Sequence, residues 1–109
     1  MDRETIQRVK DQLQSICKSE GINLTEIIVF GSRIKGDYTD RSDIDILLVS
    51  KDFERQKWYK RPGVFYRHWD YKNLPEPEII CCTPEEFERK KNEIGIVAEA
   101  VKEGIEITQ

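Results

Sequence analysis

The 109-residue chain is long enough for one domain built around a single modest core. Hydrophobic residues make up 38% of it and charged residues 36%, the balance of a globular protein in water, and no apolar run approaches the roughly 18 residues of a membrane span. A net charge of -3 argues against a protein whose main task is coating nucleic acid, although it leaves a nucleotide ligand open.

The N-terminal Met-Asp-Arg-Glu-Thr runs directly into an amphipathic pattern with no signal peptide, so the expected compartment is the cytoplasm. The three cysteines, Cys17, Cys81 and Cys82, are a poor disulfide framework and read as reduced. A zinc site built from them and His68 is disfavoured, because adjacent strand residues point to opposite faces.

From Asp2 to about Glu20, Ile6, Val9, Leu13, Ile16 and Cys17 recur at helical intervals, which predicts an amphipathic helix stopped by Gly21. Thr25 to Phe30 is a short apolar run and predicts a strand buried on both faces. Gly31 and Ser32 follow at once, where a missing side chain lets backbone approach a ligand. Residues 33–41 are expected to hold a short helical turn and a loop. Asp43 to Val49 predicts a second strand, ended by Ser50. In a strand Asp43 and Asp45 share one face, about 6.6 Å apart, and can grip hard divalent cations while Ile44 and Ile46 turn into a core.

Between residues 51 and 75 aromatic and basic side chains interleave, as in Trp58-Tyr59-Lys60-Arg61. Such a mixture can bind nucleic acid by stacking and charge. The favoured reading is that the aromatics close the core over the sheet while the charges stay solvated. The period of this segment is ambiguous; Pro62 as a first helical residue favours a helix ending near Asp70. Leu74-Pro75-Glu76-Pro77 reads as a connector that interrupts regular structure. Glu78 to Cys82 predicts a third core strand. Thr83-Pro84-Glu85-Glu86 is a helix start with cap, N1 proline and capping-box glutamate. That helix carries Phe87 and, beyond a break at Gly95, Val97, Ala98 and Val101, before Gly104 ends it and Ile105 to Thr108 add an edge strand. Residues 1–109 contain no repeat or second domain.

Gly31-Ser32, ten intervening residues and then Asp43-Ile44-Asp45 at the head of a hydrophobic strand form a specific combination. With Glu78 on a strand before Thr83-Pro84-Glu85-Glu86-Phe87, the chain resembles the minimal nucleotidyltransferases of the DNA polymerase beta-like superfamily over about residues 25–104. The resemblance implies an α/β (α+β) nucleotidyltransferase fold, a small mixed β-sheet flanked by helices. It implies transfer of a nucleoside monophosphate, AMP from ATP or another nucleoside triphosphate, to an acceptor with loss of pyrophosphate.

Two Mg2+ ions would be held by Asp43, Asp45 and Glu78, the three catalytic positions, with Glu78 either a ligand only or also a proton acceptor. Gly31, Ser32, Arg33 and Ser42 would contact the nucleotide, and Lys35 is as well explained by the surface. Minimal members are often paired with a HEPN-type partner in toxin-antitoxin systems, where a partner tyrosine receives AMP. Transfer to a small molecule such as an aminoglycoside, and a non-catalytic nucleotide-binding or interaction module of the same fold, are the alternatives. A homo-oligomer is also compatible with the aromatic segment.

Overall fold

The computed structural model of the protein describes residues 2–31 and 43–107. The first helix, α1 (Arg3–Glu20), begins at Asp2, whose carboxylate accepts from the Thr5 N–H at 2.7 Å. It stops at Gly21 in the left-handed conformation, φ 69°, as a C-terminal glycine should. Its stripe Val9, Leu13, Ile16 and Cys17 is buried.

Strands β1 (Glu26–Phe30) and β2 (Ile44–Val49) are antiparallel neighbours. Two short 3-10 helices follow, at Lys51–Arg55 and Trp58–Lys60, and then α2 (Gly63–His68), in which Pro62 is the N-cap rather than the first helical residue and the helix ends two residues before Asp70. Strand β3 (Pro77–Cys82) runs parallel to β2. Helices α3 (Pro84–Lys90) and α4 (Ile96–Glu103) and the short strand β4 (Ile105–Glu106) complete the described order. The sheet order is β3-β2-β1-β4, with β4 antiparallel to β1.

Alternation along the strands divides the core in two. Ile27, Val29, Ile44, Ile46, Leu48, Ile79 and Cys81 pack with α1, Phe53, Phe65 and Trp69. Ile28, Phe30, Leu47, Val49 and Cys82 pack on the other face with Phe87 of α3 and Val97 and Ala100 of α4. Each wholly buried leucine, such as Leu13 or Leu47, contributes roughly 1.5–3 kcal/mol. The expected orientation of Ile44 and Ile46 into a core is therefore met.

Phe53 and Phe65 meet edge to face with centroids 6.3 Å apart, and the buried Trp69 donates its indole N–H to the Pro75 carbonyl at 3.0 Å. These aromatics close the core; Trp58, Tyr59 and Tyr71 remain exposed.

Pro77 corrects the sequence reading, which places it in a connector. It is the first residue of β3, paired in register with Ile44. A proline is tolerated at the start of an edge strand, where its missing N–H removes no ladder bond. Elsewhere the edge is capped by side chains: the Ile79 N–H donates to the Tyr66 hydroxyl at 2.8 Å, and Arg61 Nη1 donates to the Cys81 carbonyl at 3.2 Å.

The bracket around Arg61 extends further. Its guanidinium also meets Glu86 at 2.6 Å and donates from Nε to the Gln56 carbonyl at 3.0 Å. Glu86 at the same time accepts the Thr83 N–H as the capping box predicts. One buried side chain thus ties the 3-10 segment to β3 and α3.

Candidate active site

The ends of three strands bring the candidate site together. Phe30, the last residue of β1, pairs with Asp45, and Asp45 pairs with Glu78. Paired residues on neighbouring strands point to one face, and here it is the face covered by α3 and α4. Asp43 lies exposed two residues before Asp45.

Gly31 follows Phe30 with φ 91°, a conformation that favours glycine. A β-carbon there would overlap the Asp45 carboxylate, specifically Oδ2. The glycine is therefore required twice, by the turn and by the room that Asp45 occupies. This is a physical reason for the Gly31 and Asp45 motifs to occur together.

Asp45 and Glu78 face each other closely enough for a protonated Asp45 carboxyl to donate to Glu78. Burial raises the Asp45 carboxyl to about 6; the Glu78 hydrogen bond and charge, then the charges of Asp43 and Glu99, push it the same way. The local excess of negative charge is what an approaching cation would relieve. Among the described residues no three His, Cys, Asp or Glu side chains stand in metal-binding geometry. Oxygen donors from Asp43, Asp45 and Glu78 nonetheless match the preference of hard divalent cations, and the absence of a β-carbon at Gly31 is what lets the Asp45 carboxylate occupy its position.

Asp45 thus stands beside Glu78 across the β2–β3 ladder and two residues from Asp43, both of which push on its charge. Ser32, Arg33, Lys35 and Ser42 lie outside the described residues. No sequence signal singles out Glu99. It lies on α4 between Val97 and Ala100, whose burial brings the helix onto the Asp45 face. An acidic residue on an amphipathic helix ordinarily reads as solvated surface, and no local motif marks it otherwise.

The cysteines offer no competing chemistry. Burial pushes the Cys17 thiol up to about 12 and raises those of Cys81 and Cys82, so thiolate nucleophiles are disfavoured at neutral pH.

Residues 9–103 match the family described as nucleotidyltransferase domain. The chain belongs to that family. It is similar to two proteins of Methanocaldococcus jannaschii. "Putative protein adenylyltransferase MJ0141" is 36% identical over 61 residues, 52% of this chain and 59% of that protein. "Putative protein adenylyltransferase MJ1305" is 31% identical over 58 residues, 52% of this chain and 40% of that protein. The matched stretches thus span less than two thirds of either relative.

A crystal structure named as a putative nucleotidyltransferase from Sulfolobus solfataricus superposes with a TM-score of 0.58 at 30% identity, covering 79% of this chain and 73% of that one. The four-stranded mixed sheet is accordingly a nucleotidyltransferase fold. No helix among the described residues is long and apolar enough to cross a membrane.

Proposed function

We propose that this nucleotidyltransferase-family domain moves AMP from ATP to a hydroxyl of a protein acceptor. The observation that carries the reading is the row Phe30, Asp45 and Glu78 across three strands, with Gly31 turning beside Asp45 and Asp43 next to it. The names of the curated relatives support a protein acceptor.

Gly31 and Ser32 would receive the terminal phosphates, with Arg33 and Ser42 as further contacts. Asp43, Asp45 and Glu78 would hold Mg2+, which when bound neutralises phosphate charge and stabilises the attacking and leaving oxygens. In the transfer, the acceptor oxygen bonds to the α-phosphorus as the bond to the α–β bridging oxygen breaks. Pyrophosphate leaves with that electron pair. The hydroxyl proton passes to Glu78 or to solvent.

The acceptor we propose is a tyrosine of a HEPN-type partner, as in a toxin-antitoxin pair. Its test is mass spectrometry of a HEPN-type protein encoded beside this chain, after incubation with ATP and Mg2+. A tyrosine carrying AMP is expected with the wild-type chain and not with Asp45→Asn. An unmodified partner would remove this acceptor. Labelled AMP transferred to an aminoglycoside instead would move the reading to small molecules.

A further inference from the structure

Glu78 does not stand alone on its side of β3. Ile80 and Cys82 follow it at i+2 and i+4, so they share its face of the sheet. Over them lies a cavity of about 350 Å3, walled by Ile96 and Val97 of α4, with Lys90 of α3 and Trp58 at its rim. Apolar side chains stand exposed among the charged Lys90 and Glu93 of its lining: Ile94 is fully exposed, Trp58 is 71% exposed and Ile96 50%. Single exposed apolar residues are ordinary, but three around one cavity beside a candidate active site are not.

The sheet order places this cavity on the opposite side of Asp45 from the Gly31 turn. Gly31 leaves from β1, on one side of Asp45, whereas Glu78 and the cavity lie on β3, on the other. If the Gly31 turn holds the triphosphate, the cavity lies on the acceptor side. A partner strand could not simply add to β3, because Tyr66 and Arg61 already take the Ile79 N–H and the Cys81 carbonyl. Recognition there must run through side chains.

We propose that the cavity over Ile80 and Cys82 holds an apolar side chain of the protein acceptor, about two to four residues from the hydroxyl that receives the nucleotide. The proposal rests on the reading of a protein acceptor given above. The spacing comes from the strand itself: an extended acceptor segment with its hydroxyl at Glu78 carries its neighbours past Ile80 and Cys82.

Trp58 supplies the readout, since Trp69 is buried and Trp58 is exposed at the rim. The probes are synthetic peptides with one tyrosine and, two to four residues away, Leu, Phe or Ser in an otherwise Gly-Ser sequence. Saturable change of fluorescence is expected with the Leu and Phe peptides, at least tenfold tighter than with the Ser peptides. It should persist in Asp45→Asn, vanish in Trp58→Phe as a control for the signal, and weaken at least tenfold in Ile96→Lys and Ile94→Lys. Both isoleucines are exposed, so these variants keep the fold.

Equal binding of Ser and Leu peptides, no saturable binding at millimolar peptide, or competitive displacement of the peptide by ATP would overturn the proposal, the last by assigning the cavity to the nucleotide. Because peptide binding is measured without transfer, a protein that binds the Leu peptides but transfers no AMP to any protein acceptor refutes the proposed function, and with it the acceptor role of the cavity, while leaving an apolar peptide site over Ile80 and Cys82; the two failures are thus distinguishable.

Discussion

Asp45 and Glu78 occupy paired positions of the parallel β2–β3 ladder, where a protonated Asp45 carboxyl can donate to Glu78. A carboxyl raised to about 6 from 3.8 has its protonated form favoured by the fold. The associated stability is fully present below about 3.8 and is lost as pH rises through 6. Asp45→Asn should therefore raise the melting temperature of the metal-free protein at pH 7.5 by a few degrees, with a smaller gain at pH 5. Mg2+ should stabilise the wild type more than the variant. Thermal melts at the two pH values, with and without Mg2+, measure both effects.

Gly31→Ala tests the shared space between the turn and the acid. The variant places a side chain at φ 91° and drives its β-carbon into the Asp45 carboxylate. A loss of about 1–3 kcal/mol in urea unfolding is expected from the backbone alone, together with loss of nucleotidyl transfer. A variant as stable and active as the wild type would show that Asp45 does not need that room.

Arg61 and Glu86 form the buried bracket between the 3-10 segment and α3. The Arg61 guanidinium beside Glu86 holds its carboxyl below the usual 4.5, so the pair stabilises the fold above that value and the contribution is lost as pH falls below it. Glu86→Gln should cost about 2 kcal/mol at pH 7, because the buried Arg61 loses its charged partner. Its stability should also fall less steeply between pH 5 and about 3. Urea titrations across that range provide the measurement.

Tyr66→Phe frees the Ile79 N–H at the edge of the sheet. A cost of about 1 kcal/mol is expected. Combined with Arg61→Met, which uncovers the Cys81 carbonyl, it should increase self-association through β3. Sedimentation of the double variant against the wild type reads this directly; an unchanged monomer fraction would show that Pro77 alone protects the edge.

Much of this arrangement is legible in the residues because its signals are local. The Asp2 and Thr83 caps, the Gly21 stop and the two buried strands each follow from neighbouring residues, and the spacing of Gly31, Asp43 and Asp45 is likewise a local signal. Glu78 was reached through resemblance; what pairs it with Asp45 is the β2–β3 register, set by packing across a long connection. Tyr66 and Arg61 carry no local sign of their roles, since their partners at Ile79 and Cys81 are distant in sequence. Glu99 was hidden for the same reason: its relation to Asp45 depends on how α4 crosses the sheet.

Asp45 and Glu78 together carry the proposed nucleotidyl-transfer site. Its most direct test is the initial rate of pyrophosphate release from ATP and Mg2+ with a protein acceptor, for the wild type, Asp45→Asn and Glu78→Gln. A loss of about 100-fold or more is predicted for each variant, with both still folded by circular dichroism. Rates within a few fold of the wild type in either folded variant would contradict it.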